Sequence, residues 1–152
     1  KELKNLLACR NTEEADFILT PHIGEMARLA GTSVASIQGR LIQTAVSFAS
    51  RYKVICVLKD ARTIVADSKK TVYINTSGNS GMATGGSGDV LTGVIAGMSV
   101  SGLNAYEAAC MGVFLHGLGG DYAASRRGEH GMKAGDIIDG ITNLMAAAQN
   151  HK

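Results

Sequence analysis

A glycine-dense segment at residues 79–93, Asn-Ser-Gly-Met-Ala-Thr-Gly-Gly-Ser-Gly-Asp-Val-Leu-Thr-Gly, leads directly into an apolar stretch that can form a helix. Glycine permits positive φ and lets backbone N–H groups approach a ligand without a Cβ in the way, and a following helix adds unpaired N–H donors and a positive dipole end. Asp89 follows the last glycine of the turn. Its carboxylate does not suit binding of phosphate, but it could take a proton from a hydroxyl that attacks phosphorus. The segment therefore predicts phosphoryl transfer.

Other interpretations of this segment are open from spacing alone. It lacks the G-x-x-x-x-G-K-[ST] pattern of a Walker-type loop, and Gly81, Gly85 and Gly86 do not form the G-x-G-x-x-G of a dinucleotide fold. Glycine turns before helices are common, and an aspartate near a helix start often only caps the helix or interacts with its dipole. Asp89 is thus either a catalytic base or a structural residue.

Composition favours one domain or a part of one. The chain has 152 residues, of which 45% are apolar and 18% are charged, and this is enough for one buried core. The net charge is +2 and the basic residues are scattered, so nothing favours nucleic-acid binding. Cys9, Cys56 and Cys110 are odd in number and have apolar neighbours, which favours reduced structural thiols over a disulfide or zinc framework.

The charge pattern also bears on location. Charged residues interrupt the first 14 positions, so we expect no secretory signal and a cytoplasmic protein. Residues 90–106 are uncharged for nearly the length of a membrane span. Glycine, serine, threonine and asparagine interrupt them, however, in a way that is typical of two buried helices and a turn. We therefore expect no membrane span.

The first half of the chain predicts a strand followed by helices. Residues 16–20 have the pattern of a short strand, which ends at Pro21, the only proline, and leads into a helix. Thr32 or Ser33 could cap a longer helix that runs to about Tyr52, because apolar residues recur there at helical spacing.

The rest of the chain predicts further strands and then helices. The continuous apolar residues 54–58 predict a central strand of a parallel sheet. Residues 62–66 and 71–75 predict two strands that pair through a turn at residues 67–70. Residues 4–9 predict the end of one helix. Three further helices are predicted near residues 86–99, 104–124 and 134–149. This order indicates a layered α/β domain with ligands at the carboxyl ends of the strands.

Residues 116–120 read His-Gly-Leu-Gly-Gly within one of these predicted helices. Each glycine costs an exposed helix about 1 kcal/mol relative to alanine. Another part of the protein or a ligand must therefore come close, and we expect tight helix packing or a nearby nucleotide.

Three segments resemble the NAD(P)H-hydrate dehydratase family of the ribokinase-like superfamily. Residues 20–29 match its T-P-H-x-G-E-x-x-R-L pattern, residues 75–93 match its glycine motif, and residues 116–137 are similar to its closing region. The resemblance implies a ribokinase-like α/β/α sandwich of three layers. It also implies that residues 1–152 form one partial domain without the first strands of the family.

The resemblance implies repair of a damaged cofactor. The 6S hydrate of NADH or NADPH would return to NADH or NADPH at the expense of ADP, with ATP as the alternative donor. Phosphate leaves more readily than hydroxide, so phosphorylation of the ring hydroxyl would permit its elimination. Asp89 would be the base and a substrate contact, and the backbone donors of Gly86, Ser87 and Gly88 would stabilise the phosphoryl group. Mg²⁺ would bridge the phosphates.

The resemblance also implies a nucleotide-binding loop and a substrate contact. Nucleotide contacts of the family map onto Gly88 and onto the loop residues Lys59, Asp60, Ala61, Arg62 and Thr63. Asp60 stands where the family usually has glycine, and its negative charge would lie near a polyphosphate. His22 matches a substrate contact just past the carboxyl end of a strand. A solvated lysine and a histidine in a turn are the plain structural alternatives.

Two other functions stay open on the sequence. A related small-molecule kinase would keep its phosphorylated product, and a nucleotide-binding fragment would not catalyse. A partial domain would expose a sheet edge and apolar surface, so we expect a homo-oligomer or the missing N-terminal half as partner. The acids near His130 and His151 form no metal-ligand pattern, and we expect no metal site built from side chains.

Overall fold

A computed structural model describes residue 5 and residues 16–150 of the chain. Apart from residue 5, the helix end that we predicted over residues 4–9 lies outside the described residues, and so does Cys9. Residues 1–74 and 75–152 make two compact units, and each is described here by itself. The single domain expected over residues 1–152 stays a prediction.

The first unit contains a mixed four-stranded sheet. Its strands are β1 (Ile18–Leu19), β2 (Ile55–Leu58), β3 (Ile64–Ala66) and β4 (Val72–Ile74), in the order β1-β2-β3-β4. β1 is parallel to β2, whereas β2 with β3 and β3 with β4 are antiparallel. The predicted strand pair β3–β4 is confirmed, but the prediction of a parallel sheet around β2 is only half right. A parallel neighbour on both sides would need a long crossover, and only residues 59–63 join β2 to β3.

Three helices accompany this sheet: α1 (Ile23–Ala30), α2 (Val34–Gln38) and α3 (Leu41–Tyr52). The single long helix predicted from Thr32 or Ser33 to Tyr52 is wrong. Ser33 does cap α2, because its hydroxyl accepts a hydrogen bond from the Ser36 N–H at 3.2 Å. The chain then leaves the helix at Arg40, with φ −146° and ψ 38°, directly after Gly39, a residue type that weakens helices.

The core of the first unit is the apolar side of these helices packed on β2 and β3. Every residue of β2 and β3 is buried, as expected for an apolar strand with no polar face. The helices contribute the buried side chains Met26, Ala27, Ile37, Ala45, Phe48 and Ala49. Cys56 of β2 belongs to this core and is fully buried.

The second unit is helical. Its helices are α4 (Ser87–Val100), α5 (Ala105–Arg127) and α6 (Ala134–Gln149), with short 3₁₀ helices at Ser80–Met82 and Glu129–Gly131. The three predicted helices are thus confirmed, as is the turn between α4 and α5. No helix among the described residues is both long enough and apolar enough to cross a membrane.

Glycines allow α5 to lie very close to its neighbours. A Cβ at Gly112 would lie 2.6 Å from Ile95 Cγ1 of α4, and a Cβ at Gly119 would lie 2.8 Å from the Ile137 carbonyl oxygen of α6. A Cβ at Gly117 would lie 2.8 Å from the Ser77 carbonyl carbon. These approaches confirm the prediction of tight packing along residues 116–120.

Gly119→Ala should lower the free energy of unfolding by about 2 kcal/mol, because backbone of α6 occupies the space that the methyl group needs. Gly93→Ala is the matched control within the same unit. A Cβ there would meet no described atom within 4 Å outside its own helix, so alanine should raise stability by up to about 1 kcal/mol. Urea unfolding of both variants checks this, and equal midpoints would contradict the packing.

Cys56 should resist alkylation in the folded protein. Burial raises the pKa of its thiol to about 12, so at pH 8 only about one molecule in ten thousand carries the reactive thiolate. We expect iodoacetamide at pH 8 to modify Cys56 at least about 100-fold more slowly than the half-buried Cys110. Peptide mapping measures the two rates, and the difference should vanish in urea. Comparable rates in the folded state would contradict the burial of β2.

Candidate functional site

The first turn of α4 lies directly after the glycine turn. Gly86 precedes the helix with φ 88°, a left-handed conformation that strongly favours glycine. Ser87 begins the helix and is buried, whereas Asp89 is exposed in the first turn. The structure therefore brings the predicted residues 86–89 together at one helix N-terminus, where the dipole favours a bound anion.

The backbone donors of this turn are not equivalent. The Ser87 N–H donates to the Thr84 carbonyl at 3.3 Å, and the Asp89 N–H donates to the Gly86 carbonyl at 3.1 Å. The N–H of Gly88 is the second of the helix and has no carbonyl four residues earlier within the helix. An anion at this end would therefore meet Gly88 as an uncommitted donor and would compete with Thr84 for Ser87.

The Asp89 carboxylate projects from an exposed position. Within the described part of the chain it forms no hydrogen bond or ion pair, so its oxygens are available to solvent or to a ligand. The same carboxylate also lies in the first turn, where a negative charge stabilises the helix. Both interpretations of Asp89 remain compatible with its place in the fold.

A partly buried network of hydrogen bonds holds the loop that leads into the glycine turn. The Asp121 carboxylate of α5 accepts hydrogen bonds from the Gly78 N–H at 2.9 Å and from the Asn79 side-chain amide at 3.0 Å. The side-chain oxygen of Asn79 in turn accepts from the Gly81 N–H at 3.1 Å. Sequence reasoning assigned no role to Asp121. Its signal was the Gly-Asp pair at residues 120–121, where an acid follows a glycine that permits close approach.

In the first unit, His22 and Lys59 lie side by side. They form a parallel bridge, and the Lys59 N–H donates to the Pro21 carbonyl at 2.8 Å. Both residues follow the carboxyl ends of paired parallel strands, β1 and β2. This is the edge at which open α/β sheets bind ligands, so the two predicted contacts share one position in the fold.

His22 also begins α1. Its Nδ1 accepts a hydrogen bond from the Glu25 N–H at 3.2 Å, and the His22 N–H donates to the Glu25 carboxylate at 2.8 Å. This reciprocal pair is a capping box. Because Nδ1 is an acceptor, the neutral ring carries its proton on Nε2, and the side chain is 55% exposed. The box explains Glu25, whose Oε1 also lies 3.5 Å from the His22 Nε2.

The predicted nucleotide loop forms the turn between β2 and β3. Asp60, Ala61 and Arg62 are exposed, and Lys59 and Thr63 are half-buried. Among the residues that the structure describes, no group of three or more His, Cys, Asp or Glu side chains could hold a metal ion. Mg²⁺ usually keeps several waters and binds one or two carboxylates together with substrate phosphates, so such a group is not required for a metal that arrives with a nucleotide.

Asp121→Ala should lower the free energy of unfolding by about 1–3 kcal/mol, because two donors of the loop at residues 78–79 would lose their acceptor. Asp139→Ala is the matched control, since it removes an exposed carboxylate from α6 of the same unit. Urea unfolding with a probe in the second unit checks the difference. Equal losses in the two variants would show that the network contributes nothing.

Comparison with known proteins connects this arrangement to a family. Residues 3–143 match the sequence model of the NAD(P)H-hydrate dehydratase family. The bifunctional NAD(P)H-hydrate repair enzyme Nnr of Moorella thermoacetica is 50% identical over 127 residues, which cover 84% of this chain and 24% of that protein.

Two solved structures share the fold. The ADP/ATP-dependent NAD(P)H-hydrate dehydratase of Bacillus subtilis, crystallised with ATP and Mg²⁺, superposes with a TM-score of 0.83 at 30% identity and covers 87% of this chain and 48% of that chain. A ribokinase-like superfamily protein of Enterococcus faecalis gives a TM-score of 0.74 at 29% identity, with coverage of 86% and 44%. The chain therefore spans at most about half the length of these relatives.

These similarities confirm the predicted ribokinase-like α/β fold class. The family match covers most of the sequence and includes the glycine turn, the His22 segment and the region around Asp121. The chain belongs to the NAD(P)H-hydrate dehydratase family.

Proposed function

We propose that this chain carries the ADP-dependent dehydration of the 6S hydrate of NADH or NADPH. The observation that carries the proposal is the first turn of α4, where an exposed carboxylate and an uncommitted backbone donor lie at a helix N-terminus. Family membership supports the substrate class. The Bacillus relative is named for use of ADP or ATP, and this supports an adenine nucleotide as the phosphoryl donor.

Asp89 acts as the base in this proposal. Its carboxylate takes the proton from the ring hydroxyl as that oxygen attacks the terminal phosphorus, and the bond from phosphorus to the bridging oxygen of ADP breaks to leave AMP. Phosphate then departs with the C–O electron pair. The ring-nitrogen lone pair assists this departure, and loss of a proton from the neighbouring carbon restores the double bond.

Backbone groups stabilise the transferring phosphoryl group. The Gly88 N–H and the positive end of the α4 dipole face the developing negative charge, and the N–H groups of Gly86 and Ser87 contribute where the turn allows it. Mg²⁺ bound through the nucleotide phosphates would neutralise further charge.

The proposal also assigns contacts within the first unit, on the strength of the family resemblance. Lys59 and the turn residues 60–63 bind the nucleotide, with the Lys59 ammonium paired to a phosphate. His22, whose side chain is 55% exposed, donates to the substrate. The partners are therefore the hydrated dinucleotide and an adenine nucleotide, with a further segment of the domain or a second copy completing the site.

The decisive experiment follows the recovery of dihydronicotinamide absorbance from hydrated NADH with ADP and Mg²⁺. Asp89→Asn should lower kcat at least about 100-fold, because a carboxamide cannot accept the hydroxyl proton. Asp139→Asn, an exposed carboxylate on α6, should leave kcat unchanged. ATP in place of ADP tests the choice of donor.

Product analysis separates this function from its alternatives. A small-molecule kinase of the same superfamily would accumulate a phosphorylated product without recovery of absorbance. A binding fragment would bind ADP in calorimetry without any turnover. Full activity of Asp89→Asn would exclude Asp89 as the base.

A further inference from the structure

His116 of α5 contacts the first turn of α4 through one ring nitrogen. The residue is 8% exposed, and its Nε2 lies 3.0 Å from the Ser87 carbonyl oxygen and 3.4 Å from the Ser87 hydroxyl. A carbonyl oxygen only accepts hydrogen bonds, so Nε2 must carry the proton in this contact. The carbonyl has a second lone pair, so it can accept from His116 in addition to its hydrogen bond within the helix.

The hydrogen bond from His116 to the Ser87 carbonyl also affects the Gly88 N–H, because both groups belong to the peptide between Ser87 and Gly88. The Ser87 carbonyl and the Gly88 N–H belong to one planar unit, so fixing the direction of the carbonyl also fixes the direction of the N–H. A hydrogen bond to the carbonyl polarises the same peptide and strengthens its N–H as a donor.

The packing of α5 makes the contact possible. Gly112 lies one turn before His116, and a Cβ there would lie 2.6 Å from Ile95 Cγ1 of α4. The two helices therefore lie too close for a side chain at Gly112, and the imidazole of His116 reaches Ser87 one turn further along α5.

We propose that His116 is a positioning residue that aims the Gly88 N–H at the phosphoryl group. The identity of the ligand rests on the proposed function, whereas the orientation of the peptide does not. His116 touches neither substrate nor nucleotide in this role. Its effect passes through the Ser87–Gly88 peptide to a charge that develops only during transfer.

The test compares His116→Gln with His116→Met in the full-length protein. Glutamine can place an amide N–H near the position of Nε2, whereas methionine has a similar length and no donor. His116→Met should lower kcat about tenfold at unchanged KM for ADP, the size expected for one neutral hydrogen bond, and should move the Gly88 amide-proton resonance. His116→Gln should leave both near wild type. His130→Gln, at an exposed histidine of the same unit, is the control.

Two outcomes would overturn the role of His116. One is a folded His116→Met variant whose Gly88 resonance and kcat are unchanged, and the other is an equal loss in the glutamine and methionine variants. The ¹⁵N spectrum of the wild-type imidazole tests the role of His116 whether or not the variants fold. An unprotonated Nε2 would contradict that role, because it cannot donate to Ser87. If wild-type protein shows no turnover, the proposed function fails, while the Gly88 resonance and the imidazole spectrum still decide the positioning role.

Discussion

In the second unit, α5 lies so close to α4 and α6 that its glycines leave no room for a side chain. Gly112 faces Ile95 of α4, and Gly119 faces Ile137 of α6. Closely packed interiors do not deform continuously. The spacing of the helices therefore also determines where the other side chains of α5 lie. His116 reaches the first turn of α4, and Asp121 reaches the loop before it. The glycine turn is thus held in place by the packing of α5 as well as by its own conformation.

The first unit depends on a comparable constraint, the parallel pairing of β1 with β2. That pairing continues beyond the strands as the bridge between His22 and Lys59. The apolar strand β2 is buried along its whole length, and Lys59 directly after it is the first half-buried residue. The capping box with Glu25 then turns the chain into α1 and sets the orientation of the His22 ring. His22 therefore has a structural role at the start of α1, and its contact with a substrate is part of the proposal.

Sequence patterns predicted the helices and strands better than their boundaries and directions. Continuous or periodic apolar residues predicted β2, the pair β3–β4 and the helices α4 to α6. Burial of these residues outweighs the other contributions to the folding free energy. The break at Gly39 and Arg40 was missed because apolar spacing continues across it, although Gly39 is a residue type that weakens helices. The direction of β3 was missed because a buried strand reads alike in parallel and antiparallel sheets.

The sequence by itself determined the fold class and the family, because the segments that carry the resemblance span most of the chain, and it predicted the chemistry proposed for residues 86–89. It also determined that something lies close to residues 116–120, since three glycines weaken a helix without such a need. The tertiary structure alone decided the identity of those close neighbours, the acceptor role of Asp121 and the contact of His116 with Ser87. The hydrogen bonds of His116 and Asp121 join residues 29 to 43 positions apart, and no local pattern encodes which distant backbone group a side chain will meet.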